Sequence, residues 1–343
     1  MQFGFMLLPR SLAETRAVAR LGESLGFSWI SVADSPTVYQ DSYLHQLEVA
    51  RAAPSVHVGP MVSHVVARHP VIVGNLLATL NAFTGGRAIG TLATGNSAAR
   101  GLGMKPATLA LLEQSVTAIQ AYWRGERGDF DDSFIPATGI EREGCPLLVA
   151  ADGPKAAALA GRAGDGLLYG GTLDPVVRRR RLSGMGGTTG GRQAWIAPTV
   201  SLCEDHDAVR DDLGAMVVAM ANRAMRGDLD ERLVPAGVQA DVLEMRRAYD
   251  YGFHADNSRP KNTGVVTERL TNYLIDSLCV WGGEARWAQT LDAIEDEGWS
   301  GVMFILGQAE QTDVLRDIGA RLQRLGRMSP RAGEPSGAGS AAR

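Results

Sequence analysis

The sequence predicts an α/β protein of the (β/α)8 class, a TIM barrel with insertions. Three observations carry that expectation. Eight short apolar runs without polar alternation recur along the chain, as expected of parallel strands buried on both faces. Segments of helical periodicity, with recognisable starts and stops, separate them. The chain has 343 residues, enough for one large domain of this kind. A doubly wound open sheet is the alternative reading.

Taken in order, the first strand is "FGFMLL", and the helix "SLAETRAVARLGESLG" follows it, closed by Gly26, the residue best suited to a left-handed C-cap. "SWISVAD" is the second strand, followed by a helix around "YLHQLEVARAA"; "VHVGPMV" is the third. The helix "PVIVGNLLATLNAF" begins on Pro70, which suits a first turn because no N–H is needed there. "RAIGTLAT" is the fourth strand, and the long helix "ATLALLEQSVTAIQAYWRG" comes after it. "PLLVAA" and "GLLYGG" are the fifth and sixth strands, flanking an alanine-rich helix that starts at Gly153-Pro154. "AWIAPTVSL" is the seventh and "GVMFILG" the eighth, preceded by "EARWAQTLDAIEDEG" and followed by a last helix "QTDVLRDIGARLQRL".

Two stretches interrupt this rhythm. Residues 125–145 are expected to form a hairpin excursion, and residues 227–265 a long insertion before the last strand. Long segments of that kind in compact domains are usually functional or disordered. Tyr249, Tyr251, Phe253 and His254 make the second too aromatic for plain disorder. Residues 1–327 thus read as a single barrel domain. Residues 328–343, rich in Gly, Pro and Ser, read as a disordered tail.

Composition narrows the function classes. The chain is 45% hydrophobic and 21% charged, with a formal net charge of −4. Without a basic surplus, nucleic acid and anionic membrane are poor partners. No apolar run reaches the ~20 residues of a membrane span. The N-terminus reads as a first strand, not a signal peptide. Cys145, Cys203 and Cys279 are scattered and odd in number, which fits a reducing cytoplasmic setting. The six histidines show no metal-ligand spacing, so no metal is expected.

In a barrel, chemistry gathers at the C-terminal ends of the strands. Strand two ends in Asp34-Ser35, strand three in Ser63-His64, and strand four in Thr94-Gly95-Asn96-Ser97. Strand five ends in Asp152-Gly153-Pro154-Lys155 and strand six in Gly170-Gly171. A helix starting at Gly153-Pro154 offers free N–H groups and a positive dipole end, which is how a backbone holds a phosphate. Each residue also has a plainer reading. Asp34 could cap a turn, Asn96 and Ser97 could cap a helix, His64 could lie at the surface or cap a helix, and Lys155 could be solvated. His69, directly before Pro70, reads as a packing residue.

The stretch "VGPMVSHVVARHPVIVGNLLATLNAFTGGRAIGTLATGNSAARGLGMKPA" resembles the bacterial luciferase-like superfamily. The matching residues are Arg68-His69-Pro70, Ala78-Thr79-Leu80, Thr84-Gly85-Gly86-Arg87 and Gly95-Asn96-Ser97. "AADGPKAAALAGRAGDGLL", "GFSWISVADSP" and "YDYGFHADNSRP" resemble further segments of it, and the likeness runs from residue 1 to about 325. The resemblance implies a barrel, commonly dimeric, that binds reduced FMN or coenzyme F-420 at the C-terminal rim. It places Asp34 beside the ring system. Val62, Ser63 and His64 form the supporting bulge, often with a non-prolyl cis peptide in this family. Thr94 and Asn96 lie along the ring edge or ribityl chain. Ala151, Asp152, Gly153, Pro154 and Lys155 cradle the phosphate, with Gly170 and Gly171 nearby.

One departure matters: several deazaflavin members carry Asp-His after strand two, where this chain has Asp34-Ser35. An acid/base role, if kept, falls to His64 or His254; both read equally as residues that shape the pocket. Val38, Tyr39, Tyr43, Tyr251, Phe253, His254 and Trp281 are candidates for a partly apolar substrate pocket. The length and the strand-three and strand-four motifs favour F-420-dependent hydride transfer on a small organic substrate. The missing histidine favours the alternative, an FMNH2-dependent monooxygenase. A non-catalytic flavin-binding homologue is the third reading. Partners implied are the small organic substrate, a second copy of the chain, and a flavin or F-420 reductase that supplies reduced cofactor.

Overall fold

The computed structural model describes residues 1–130, 132–136, 142–254, 261–307 and 310–331. Eight parallel strands form the barrel: β1 Gln2–Leu7, β2 Trp29–Val32, β3 His57–Pro60, β4 Gly90–Ala93, β5 Leu147–Ala150, β6 Gly166–Tyr169, β7 Gln193–Ile196 and β8 Gly301–Ile305. Neighbouring strands pair in chain order, and β1 lies beside β8 with Gln2 opposite Gly301. The ring closes between β3 and β4. Val58 bridges to Ala88. Past a cis peptide between Met61 and Val62, the two-residue segment Ser63–His64 pairs with β4 opposite Leu92 and Ala93.

The strands lack polar alternation because both faces are buried. Phe5, Leu7, Ile30 and Val32 face the helical shell and join one apolar cluster. Met6, Trp29, Leu148, Leu168, Trp195 and Met303 join a second cluster that fills the barrel interior. Trp29 and Trp195 meet edge to face there at 4.8 Å, a favoured aromatic geometry.

The helices start and stop where local chemistry dictates. In α1 (Leu12–Leu25) the Ser11 hydroxyl accepts the Glu14 N–H and Gly26 closes the end at φ 107°. After α2 (Ser42–Ala52), α3 (Pro70–Thr84) begins on proline, with His69 Nδ1 accepting the Val71 N–H. The His69 ring also packs on Phe130 at 4.9 Å, so it is both cap and packing residue. A short helix α4 (Ser97–Gly101) and α5 (Leu109–Trp123) follow β4. Between α5 and β5, Gly128–Phe130 and Asp132–Phe134 form an antiparallel hairpin. The remaining helices are α6 (Pro154–Ala163), α7 (Pro175–Met185), α8 (His206–Leu213), α9 (Ala215–Ala224), α10 (Ala236–Ala248), α11 (Glu268–Leu278), α12 (Glu284–Asp296) and α13 (Gln311–Arg324).

Several expectations need correction. The seventh strand is interrupted at Ala197-Pro198, and its second piece, Thr199–Val200, pairs with a strand the sequence reading passed over, Cys279–Val280. Proline has no N–H to give the ladder, which accounts for the break. The insertion at 227–265 contains α10; residues 255–260 lie outside those described. Helices α4, α7, α8, α9 and α11 are additions to the elements the sequence leads one to expect. The first residues of the expected tail are anchored. Met328 packs on the core, and the Arg331 N–H donates to the Ser24 carbonyl at 3.1 Å. Residues 332–343 lie outside those described. No helix among the described residues is long and apolar enough to cross a membrane.

Closure of the barrel depends on a bare backbone at Gly59, where an added Cβ would sit 1.8 Å from the Ile89 carbonyl oxygen. Gly59→Ala should therefore destabilise by about 3 kcal/mol or more. Gly86→Ala, at φ 89° with open space around it, should cost only about 1–2 kcal/mol. Denaturant melts of the two variants check this, and equal costs would count against a closed seam.

Candidate active site

A cavity of about 330 Å³ opens at the C-terminal rim of the barrel. Its wall runs from Asp34 on the β2 rim, past Val62 and His64, to Thr94, Gly95 and Asn96 after β4. It continues through Ala151 and Asp152 after β5 and Gly170 after β6. Tyr39 and His254 also line it. Chain segments far apart in sequence meet here because every strand ends at the same rim.

Asp34 is 4% exposed and caps no turn. Its Oδ2 accepts the Ser63 hydroxyl at 2.8 Å and the Arg68 guanidinium at 2.7 Å. Tyr43 contacts Ser63 Oγ at 2.6 Å. Ser63 has one proton, and it goes to Asp34, so the Tyr43 hydroxyl is the donor to Ser63. Arg68 lies 4.9 Å over the Tyr43 ring. Burial, followed by the nearby Asp34 carboxylate, pushes the Tyr43 hydroxyl pKa above its usual range, so Tyr43 keeps its proton. Ser63 does not line the cavity; it acts by fixing Asp34.

His64 is 1% exposed, and neither ring nitrogen has a hydrogen-bond partner among the described residues. Burial holds its pKa below the usual value against the opposing pull of Asp34. An unpaired buried imidazole facing a cavity is costly unless a ligand meets it.

Asn96 occupies the N-cap position of α4 without making a capping bond. Its Oδ1 accepts instead from the Tyr251 hydroxyl at 2.9 Å. Tyr251 thereby ties the segment after α10 across to the β4 rim. Its ring stacks on His254, and the Tyr249 hydroxyl meets His254 Nδ1 at 2.5 Å.

The β5–β6 end departs from expectation. Gly153, Pro154 and Lys155 are not among the lining residues, and Lys155 is exposed. Positive charge comes instead from arginines the sequence reading did not single out. Asp152 Oδ2 binds Arg223 at 2.6 Å, and its Oδ1 accepts the Gly170 N–H at 3.1 Å. The Asp152 carbonyl accepts from Arg181 at 3.1 Å and from Arg232 at 2.9 Å. An added Cβ on Gly153 would lie 3.9 Å from the Arg232 guanidinium, so the start of α6 and Arg232 share one corner. The spacing of Arg223 and Arg226, three apart, was the available signal, but it needed α9 to be recognised as a helix.

Five further expected residues lie off the cavity wall. Trp281 does not reach the cavity; it is 5% exposed and sandwiched between His206 and Arg286. Phe253 packs beneath Lys261, and Gly171 sits behind Gly170, close to the Tyr169 hydroxyl. Tyr251 contacts the rim through its hydroxyl without lining the cavity. Val38 is exposed. No cluster of His, Cys, Asp and Glu suited to a metal occurs among the described residues.

A family model described as luciferase-like monooxygenase matches residues 1–301. The chain belongs to that family. This luciferase-like chain is 28% identical over 176 residues to a 5,10-methylenetetrahydromethanopterin reductase of Methanolobus tindarius, covering 49% of this chain and 53% of the relative. It is 33% identical over 112 residues to an F420-dependent glucose-6-phosphate dehydrogenase of Mycobacterium leprae, covering 29% and 33%. The chain thus aligns with about half or less of these curated relatives. Among solved structures, the coenzyme F420 dependent tetrahydromethanopterin reductase from Methanopyrus kandleri superposes with a TM-score of 0.72 at 17% identity, covering 94% of this chain and 99% of that one. The EDTA monooxygenase from Chelativorans sp. superposes at 0.62 with 12% identity, covering 96% and 95%. These structural likenesses show the fold.

His254 provides a test of the site's electrostatics. Burial, then the charge of Arg223, pushes its pKa from 6.5 down to about 4. The unfolded chain takes up that proton near pH 6.5 and the folded chain only near 4, so stability should fall as pH drops across that window. His254→Gln should flatten the fall in part, since His45, His57 and His64 are shifted in the same direction. Melting temperature measured from pH 7.5 to 4.5 checks this. Superimposable curves would mean that His254 titrates normally.

Proposed function

We propose that this chain is an F-420-dependent oxidoreductase that transfers hydride between the deazaflavin and a small organic substrate. The observation that carries the reading is the rim cavity itself. It pairs an unpartnered buried imidazole at one side with an arginine-lined helix start at the other. Those features suit a ring system carried on a phosphorylated chain. The curated relatives named above are a methanopterin reductase and an F420-dependent dehydrogenase, which supports the deazaflavin over FMN.

In this reading Arg232, Arg223 and the start of α6 hold the coenzyme phosphate. Val62 and the backbone around Met61 support the ring, with Thr94 and Asn96 along its edge. Bound there, F-420 supplies or accepts the hydride. Asp34 is kept in one orientation by Ser63 and Arg68, so its carboxylate cannot swing away as ligands enter. His64, neutral near pH 7, accepts or donates a proton at a substrate oxygen through a ring nitrogen. Tyr39 and His254 bound the substrate space.

A second reading, an FMNH2-dependent oxygenase, is favoured by one observation. Ser35 stands where several deazaflavin relatives have histidine, and its hydroxyl is engaged with Ser97 at 3.0 Å.

Calorimetric titration of the purified protein with reduced F-420 and, anaerobically, with reduced FMN separates the readings. F-420 is expected to bind and FMN to bind much more weakly; the reverse would establish the oxygenase. Arg232→Gln should weaken binding of the preferred coenzyme by about tenfold or more. Unchanged affinity would remove Arg232 from the phosphate corner.

A further inference from the structure

The cavity's positive charge is unevenly compensated. Arg223 is paired with Asp152. Arg226, which also lines the cavity, meets no carboxylate among the described residues. It donates to the Asn222 carbonyl at 3.0 Å and to the Tyr251 hydroxyl. Arg100 makes no ion pair among the described residues and lies 5.5 Å over the Tyr251 ring. Arg246, whose guanidinium donates to the Met225 carbonyl at 3.2 Å, adds a third cation with no ion pair among the described residues.

Three cations thus gather around one corner with carbonyls, a phenol and a ring face as partners. Burial pushes the Arg226 pKa below its usual range against the opposing pull of Tyr251, and Arg100 and Arg246 add to the downward push. A partly desolvated guanidinium among like charges, hydrogen-bonded only to neutral groups, gains most when an anion arrives. The corner is also rigid. The Tyr251 oxygen accepts from Asn222 at 3.0 Å and from Arg226, and donates to Asn96, which uses its proton and both lone pairs. Arg226 is therefore held before any ligand binds, which lowers the entropic cost of using it.

Position separates this corner from the phosphate corner. Arg223 and Arg232 are anchored on Asp152, at the β5–β6 end. The side chain of Arg226 is anchored through Tyr251 on Asn96, at the β4 end. Asn96 follows Gly95, where an added Cβ would lie 3.3 Å from His64 Cβ. A ligand anchored at Arg226 thus shares the His64 side of the cavity.

We propose that Arg226, backed by Tyr251 and Arg100, recognises an anionic group on the substrate, a carboxylate, sulfonate or phosphate, at a subsite separate from the coenzyme phosphate. The inference rests on the reading of the cavity as a coenzyme site. The substrate class is then a small organic anion, with its charged end at the β4 corner and its reacting end toward His64.

The test uses inorganic phosphate as the probe. It is titrated into the full-length protein, alone and with the preferred coenzyme saturating, for the wild type and for Arg226→Gln. The coenzyme-saturated wild type should still bind phosphate, and Arg226→Gln should weaken that binding at least about tenfold. Without phosphate, Arg226→Gln should melt at or above the wild-type temperature, since the glutamine amide can keep the bond that the Arg226 Nε–H makes to the Asn222 carbonyl and the variant removes a charge that meets no carboxylate among the described residues. Phosphate should raise the wild-type melting temperature more than that of the variant. Loss of phosphate binding on saturation with coenzyme would assign the corner to the coenzyme and overturn the proposal. A variant that melts lower and keeps the full phosphate response would make Arg226 a structural strut and overturn it as well. If neither coenzyme binds, the proposed function fails, while phosphate binding that depends on Arg226 would still uphold the subsite.

Discussion

Asp152 is the residue on which the rim depends. It sits just beyond β5, and its carboxylate and carbonyl together receive the Gly170 N–H, Arg223, Arg181 and Arg232. One position thereby joins the ends of β5 and β6 to α7, to α9 and to the segment that follows. Its single negative charge is committed to Arg223, and Arg181 has its own carboxylate in Glu231. The charge of Arg232 is left for whatever enters the cavity. Charge-assisted bonds of this kind are strong and directional, so Asp152 fixes where the guanidiniums of this corner point.

The opposite side is organised by the barrel seam. The chain leaves β3, passes the cis peptide, and rejoins the sheet at Ser63–His64. That detour puts Ser63 where it can bond Asp34 and Tyr43, and puts His64 at the cavity wall. A single backbone path therefore delivers both the residue that fixes the carboxylate and the imidazole that the protein leaves unpaired. The proton order from Tyr43 through Ser63 to Asp34 follows from donor counting alone.

The barrel was legible because its strands are buried on both faces and its helices carry strong terminal signals. Ser11, Gly26 and Pro70 each do what their chemistry suggests. Asp34, His64, Thr94 and Asn96 were found because strand ends share one rim. The arginine wall was not. It comes from α9 and the segment after it, where no apolar strand runs punctuate the sequence, and its spacing means little until α9 is seen. The family resemblance puts Lys155 in the phosphate cradle, while the residues alone leave it solvated; it is exposed and off the cavity wall, and the Arg232 guanidinium shares the corner with the start of α6. Trp281 is a candidate pocket aromatic by residue type alone, which serves a core role equally well, and its indole lies between His206 and Arg286.

The placement of residues along the chain has a further consequence. None of the barrel's parallel strands lies in residues 223–254, yet those residues supply Arg223, Arg226, Arg232 and His254 to the cavity and pack Leu229, Val238, Val242 and Met245 into the core. The strand ring and much of the cavity's charge are therefore written in different parts of the sequence. Lineages could exchange this stretch and acquire new chemistry at the mouth while the scaffold below stays fixed.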